Sequence, residues 1–464
     1  MQVMTDTSSR SRVAIAIAAL ALVVLAVLSG SATGGPSKAA VVLPLAAGLG
    51  FVLVLFAASR FEAYLLLTLA TRASLDVAKL SGSDGGARAL DPAVLVAVLF
   101  LMSSGLWLAG RYRSWGALPG SPLRAAWLIF LSACFLSAVG SGDVGSSLLE
   151  TVRIASVVMM FVVVEQICTD ERRTKRVLAA VYTSAFVPLL LTGIGLLSGH
   201  GRAEQKGDFT RVVGTFNQSN EFGRYLMLLI IMGVAILPVI NRRPRHVLLV
   251  VLALSFGCLM GTYTRTALLG TGLGLLVVGT VHSKKILIGL LTGGAIALLL
   301  VPSLSARFSD LGASEPQGSG EPESTLEWRL DYWRTVLPLA RQNPISGIGL
   351  AQTQRLTDNQ QPPHNDYLRA YVETGLIGFL AYLLLLWTLV ATGWKGLSAA
   401  PRGTFDRAVA AGFLGCAVAF VAASAMANVF SNVVTLWYFA AFAGGAAAVW
   451  RRRTTGQLLA TWER

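Results

Sequence analysis

Long apolar runs separated by short charged ones set the pattern of this chain. Runs of helix-spanning length fall at about 13–29, 39–59, 91–110, 122–140, 148–168, 177–198, 217–240, 246–262, 264–281, 286–302, 365–393, 408–430 and 432–450. A helix needs about 20 mostly apolar residues to cross the hydrocarbon core of a bilayer. The pattern therefore predicts an all-α polytopic membrane protein. A weaker run, FEAYLLLTLATRASLDVAKL at 61–80, contains Glu62, Arg72, Asp76 and Lys79. With it the count of transmembrane helices is 14 and without it 13, within an expected range of about 12–14.

Charge bears on whether 61–80 crosses. Arg111, Arg113 and Arg124 flank one loop, and ERRTKR (171–176), NRRPRH (241–246), HSKK (282–285) and RRR (451–453) mark others. Lys395, Arg402 and Arg407 mark one more. Short loops rich in Lys and Arg stay in the cytoplasm. All these runs share that side if 61–80 spans and the N-terminus is inside; otherwise RYR at 111–113 moves outside. The expectation is a multi-pass membrane protein with both termini cytoplasmic. Arg10 and Arg12 precede the run from Val13 to Ser29, which is long for a signal peptide and reads as a first membrane helix.

Composition agrees. Of 464 residues, 54% are hydrophobic and only 13% charged, against about 25% charged in soluble domains. The net charge of +14 would suit nucleic acid, but the basic residues sit in the short runs between spans, so a nucleic-acid partner is not expected. Cys134, Cys168, Cys258 and Cys416 lie in or beside apolar segments, far apart, with neither metal spacing nor a disulfide framework. No cofactor or metal is implied.

On the outer side two segments stand out, GHGRAEQKGDFTRVVGTF at 199–216 and the long stretch 303–363. The chain thus divides into an N-terminal bundle (1–302), a large extracytoplasmic loop (303–363) and C-terminal membrane helices (364–464). A loop of about 60 residues in a compact protein is usually functional. Its first half is rich in Pro, Gly and Ser. Its second half, TLEWRLDYWRTVLPLARQNP, has helical periodicity, with Leu326, Leu330, Trp333 and Leu337 on one face that suits the bilayer surface or the cap of a cavity.

Chemistry concentrates after that loop, in PPHNDYLRAYVETGLIGFLAYLLLL at 362–386. Two prolines hold the chain extended, a helix can start at His364, Asn365 and Asp366, and the sequence then turns apolar. A titratable histidine therefore sits at the mouth of a membrane helix. Asn365, Arg369 and Glu373 follow at i, i+4 spacing as a polar stripe, in which Glu373 pairs with Arg369 and anchors the helix.

Three further arginines sit at membrane depth or at its edge. Arg265 lies in GTYTRTALLG, where it either faces a cavity or snorkels to the headgroups. Arg224 lies in FNQSNEFGRYLMLLI, within reach of Glu221, on a helix that Asn217 or Ser219 could cap. Arg329 lies on the loop helix, four residues before Trp333, with Glu327 and Asp331 as alternative partners. Arginine binds phosphate bidentately and is always charged, and histidine can take a proton near neutral pH. Outward arginines with one histidine fit a diphosphate leaving group and a hydroxyl nucleophile.

Four motifs carry a resemblance to the O-antigen ligase and O-antigen polymerase superfamily: GTFNQSNEFGRYL (214–226), TYTRTALLG (262–270), RLDYWRTVLPLARQNPISGIGL (329–350) and HNDYLRAYVETGLIGFL (364–380). They fall in family order, with the large loop between the second and fourth. The resemblance implies a GT-C-like membrane glycosyltransferase that moves a glycan from undecaprenyl diphosphate to an acceptor hydroxyl on a glycan or lipid. It gives His364 the base role and Arg265, Arg329 and Arg224 the diphosphate. It leaves Asn217, Asn220, Trp333, Asn365 and Glu373 as supporting residues and polysaccharide export or assembly proteins as partners. The sequence reads NQSN where many relatives have Asn-Pro-Asn, and TRT where Ser-Arg-Gly or Ser-Arg-Ala is common. Ligase and polymerase share these motifs. Two other classes compete. A flippase for lipid-linked sugars predicts inverted repeats and broken helices, of which the sequence shows none. A non-catalytic subunit of an assembly complex has no need of His364.

Overall fold

A computed structural model describes residues 50, 52–75, 92–206, 209–289, 292, 326–357 and 361–462. The expected runs at 13–29, most of 39–59 and most of 286–302, and the first part of the long loop, lie outside the described residues. Eight of the described helices are long and apolar enough to cross a membrane. In chain order the helices are α1 (Phe61–Arg72), α2 (Pro92–Trp115), α3 (Pro122–Val139), α4 (Val144–Ile167), α5 (Glu171–Thr183), α6 (Phe186–Ser198), α7 (Ser219–Ile236), α8 (Arg242–Gly261), α9 (Arg265–Val281), α10 (Leu326–Val336), α11 (Asp366–Ala399), α12 (Phe405–Ser424) and α13 (Val433–Trp462).

The helices meet as a bundle in which α13 lies against α4, and α12 lies against α7, α9 and α11. The stretches α7, α12 and α13 are the most enclosed. Small residues allow this. A Cβ added at Gly415 would lie 2.7 Å from the Gly274 carbonyl, and one at Gly412 would meet the Met232 sulfur at 2.7 Å. Lipid removes most of the hydrophobic drive between helices, so close backbone approach and dispersion do that work.

The cationic runs gather at one end. Glu165 takes the Arg124 guanidinium at 2.5 Å and the Ser121 amide at 2.8 Å, while its backbone carbonyl accepts from Arg451. Asp406 pairs with Arg452 and Arg453. Arg452 also donates to the Cys168 carbonyl and to Thr174. Burial, and then the Arg407 charge, pull the His282 imidazole below its ordinary value. Helix α1 starts at this end, where Glu62 pairs with Arg176 at 3.0 Å and Arg173 at 3.6 Å. Its other end points away from them: the Ala73 amide donates to the Tyr438 hydroxyl, and its carbonyl accepts from Thr215.

Two features depart from the apolar pattern. The segment after α6 is not plain loop: Ala203–Lys206 and Phe209–Val212 pair as an antiparallel hairpin, with Glu204 opposite Arg211. And α11 is not continuous. Gly375 has φ 65° and ψ −168°, which breaks the helix. The expectation of no broken helix therefore fails.

The NPISGIGL stretch fills the break. The Ile348 and Gly349 amides donate to the carbonyls of Val372 and Glu373, and the Leu376 and Ile377 amides donate to those of Pro344 and Ile345. A Cβ at Gly375 would lie 2.3 Å from the Ile345 carbonyl oxygen, and one at Gly347 2.2 Å from that of Glu373. Only glycine permits both the conformation and the approach. The chain itself satisfies the backbone groups freed by the break, so this is a packed joint.

Candidate active site

The site lies at the end opposite the cationic runs, where α10, the start of α11 and the loop between α12 and α13 converge. The loop helix α10 packs inwards on a face other than the apolar stripe read in the sequence. Tyr332, Val336 and Ala340 form a small core with Ile348 and Val372, while Leu330 and Leu337 are exposed. Exposed Leu330 and Leu337 leave that stripe open to the bilayer surface, one of its two expected settings. What orients α10 is the wide Tyr332 ring, which also bonds Thr357 at 2.7 Å and the Gln361 carbonyl. Trp333 turns back towards the site, and its indole N–H donates to the Pro363 carbonyl at 2.6 Å.

His364 follows directly, with φ 52°, a left-handed conformation uncommon for a residue with a side chain. The turn is held from both sides. Asn365 caps α11, its Oδ1 accepting from the amides of Tyr367 and Leu368 at 3.0 and 3.1 Å. The His364 Nδ1 lies 3.1 Å from the carboxamide nitrogen of Asn428, which also reaches the Pro362 carbonyl at 3.4 Å. The Trp328 ring stands edge-on at 6.3 Å.

Asn428 belongs to the loop 425–432, and this loop touches nearly every part of the site. Its Met426 carbonyl accepts from Arg329 at 3.2 Å. Its Val429 and Phe430 amides donate to Asp366 Oδ2 at 2.8 and 3.2 Å. Its Ser431 hydroxyl meets Arg369 at 2.5 Å. Sequence reading missed this loop because it is a short polar interruption between two apolar runs. The cluster ANVFSNV, with two asparagines at membrane depth, was the available signal.

Arg329 does not pair with Asp331, which holds Arg334 at 2.8 Å instead. Burial, and then the like charge of Arg265, pull the Arg329 guanidinium below its ordinary value. Two like charges that act on each other in this way are relieved by an anion bound near both.

Arg265 opens α9, and the residues before it are fastened from the hairpin. Buried Arg211 donates to the Thr262 carbonyl at 2.8 Å, to Thr264 Oγ1 at 3.1 Å and to Asn220 Oδ1 at 2.8 Å. Asn220 thus ties α7 to the turn before Arg265. Asn217 is exposed, and the residue before Ser219 that ends the cap, Gln218, makes no side-chain cap bond. The first turn of α7 is capped across space: Glu204 accepts from the Ser219 amide at 2.9 Å and its hydroxyl at 2.7 Å. A carboxylate there also complements the helix dipole. Neither Arg211 nor Glu204 was read as part of the site, since a charged hairpin in an outer loop resembles any solvated turn.

Arg224 is buried, and the carboxylates whose charges act on it are Glu221 and Asp366. Below His364, Arg369 donates to Glu373 at 2.9 Å, as the i, i+4 spacing predicted, and reaches Glu150 at 3.5 Å. Glu373 also accepts from the Ala351 amide at 3.0 Å. Asp366, Arg369, Glu373 and Glu150 line a cavity of about 30 Å³. Glu373 is thus a structural anchor that ties α11 to the joint at Gly375.

A search among curated proteins finds no match. Residues 248–383 match the family model described as O-antigen ligase. That stretch takes in Arg265, Arg329, Trp333, His364, Asn365 and Glu373, and ends before Asn428. Over residues 248–383 the chain is similar to the O-antigen ligase family.

Proposed function

We propose that this protein is a glycosyltransferase that moves a glycan from undecaprenyl diphosphate to an acceptor hydroxyl, on the membrane face opposite the cationic runs. The observation that carries this reading is that His364 and Arg329 both contact the loop 425–432, while the charge of Arg265 acts on Arg329. Arg265 and Arg329 bind the diphosphate. Negative charge grows on its bridging oxygen as the sugar leaves, and fixed cations stabilise that state more than the ground state. His364 takes the proton of the acceptor hydroxyl. The hydroxyl oxygen bonds to the anomeric carbon as the bond to the diphosphate oxygen breaks, so configuration inverts.

Asn428 supports the base role. With its nitrogen on Nδ1, the ring proton sits on Nε2 and no ring nitrogen is open to the substrate. Turning the carboxamide by 180° exchanges oxygen for nitrogen. Oδ1, buried and without a partner in the first orientation, then accepts from Nδ1–H, and the long bond from the Asn428 nitrogen to the Pro362 carbonyl is given up. Nε2 is left with its lone pair, as a general base requires. Asn428 is thus a positioning residue for His364.

The break in α11 favours no transport reading, because residues 344–349 fill it. A direct test incubates the purified protein with a polyprenyl-diphosphate glycan and candidate glycan or lipid acceptors. Glycan appearing on an acceptor supports the proposal; translocation across a vesicle bilayer without transfer would favour the flippase.

A further inference from the structure

A second charged site lies at the other end of the molecule, away from His364. Arg60, Arg111, Arg173 and Arg176 line an open cleft of about 490 Å³ with Glu62 and Trp107. Its size falls in the range of ligand pockets, about 300–1,000 Å³. Four guanidiniums face one lining carboxylate, and Arg173 also reaches Asp170 at 3.7 Å. Glu62 offsets Arg173 and Arg176, which it pairs with. Arg60 makes no ion pair among the described residues. Arg111 donates to the Gln166 carbonyl at 3.2 Å and stacks over Trp107 and Trp115 at 5.2 and 3.8 Å. The like charges of Arg173 and Arg451 act on it. The cleft therefore carries net positive charge that its own residues do not neutralise.

Its level in the bundle says which anion fits. Tyr112 and Trp115, on the last turn of α2, are 56% and 59% exposed. Exposed aromatic rings beside a cationic run mark the headgroup layer of a bilayer. The wall is apolar at Leu66 and Trp107, which lie one to two turns into α1 and α2 from this end, and at Ile167 where α4 ends. A soluble anion has no use for that wall, whereas a lipid has a phosphate for the arginines and a chain for the apolar side.

We propose that this cleft binds the phosphate headgroup of an anionic phospholipid from the leaflet on the arginine-rich side. Arginine forks grip phosphate bidentately, and basic pockets between membrane helices take such headgroups. The bound lipid would bridge the start of α1 to α2 and α5.

The test uses the full chain in a neutral detergent, titrated with phosphatidylglycerol, phosphatidylcholine or inorganic phosphate and read by native mass spectrometry. The proposal predicts retention of phosphatidylglycerol over phosphatidylcholine. In the variant R60Q/R111Q that retention should weaken by about fivefold for each arginine removed. Glu62→Gln removes the competing carboxylate and should tighten it, which keeps the proposal testable if the double variant fails to fold. Equal retention of both lipids, wild-type retention in R60Q/R111Q, or displacement of phosphatidylglycerol by inorganic phosphate would overturn the assignment.

Discussion

Asn428 holds His364: its carboxamide lies 3.1 Å from the ring Nδ1, on a loop that Asp366 pins through the Val429 and Phe430 amides. The histidine is fixed at the backbone by its left-handed turn and at the ring by this contact. A base held in this way needs no search through rotamers before it meets the acceptor hydroxyl.

Asn428→Ala should therefore lower kcat by roughly 10- to 100-fold and leave the affinity for the donor nearly unchanged. Asn428→Asp puts an anion on Nδ1–H and raises the basicity of the ring. The base is active when neutral, so the acidic limb of the kcat/KM profile should move to higher pH. Steady-state kinetics across pH check both. An unmoved profile in Asn428→Asp would remove Asn428 from the site.

Arg265 and Arg224 should behave differently. Arg265→Lys keeps a charge and loses the bidentate fork, so kcat/KM should fall by roughly 10²- to 10³-fold with the fold intact. The charges of Glu221 and Asp366 act on buried Arg224, so Arg224→Ala removes one of the cations that balance buried Asp366. It should act mainly on stability, by about 3 kcal/mol or more. Thermal unfolding and donor binding separate the two. Equal loss of donor binding at both positions would place Arg224 in the diphosphate site.

The joint in α11 makes a prediction about folding. Gly375→Ala needs φ near 65° with a side chain and puts a methyl 2.3 Å from the Ile345 carbonyl oxygen. Strain of this kind costs about 1–3 kcal/mol before the clash is counted. The variant should lose several degrees in Tm and weaken the packing of 344–349 against α11. Ala at Gly272, where nothing lies within 4 Å, is the control and should leave Tm unchanged.

Metal dependence follows from the donor set. Hard cations seek carboxylate and carbonyl oxygens, and the carboxylates nearest His364 are engaged: Asp366 accepts from the Val429 and Phe430 amides, and Glu373 and Glu150 hold Arg369. Transfer should survive EDTA. Abolition by EDTA with rescue by magnesium or manganese would contradict the assignment of Arg265 and Arg329.

The membrane class, the gathering of cationic runs at one end and the Arg369–Glu373 pair were legible in the sequence. Each rests on spacing along one chain segment: run length, loop charge or an i, i+4 step. What escaped depended on contacts between distant segments. Gly375 reads as a helix residue until NPISGIGL is laid against it. Asn428 reads as a gap between apolar runs until it meets a histidine 64 residues earlier. The inward face of α10 shows the same limit, since Tyr332 and Val336 find their partners only in three dimensions.

Replacement of His364 tests the central claim most directly. Turnover of a polyprenyl-diphosphate glycan by His364→Ala is to be compared with wild type, with donor affinity measured separately and the anomeric configuration of the wild-type product read by NMR. A positioned base contributes about 10²–10⁴-fold. Turnover should fall by about that factor while donor binding holds, and the wild-type product should be inverted. Wild-type turnover in His364→Ala, or a product with retained configuration, would contradict the account.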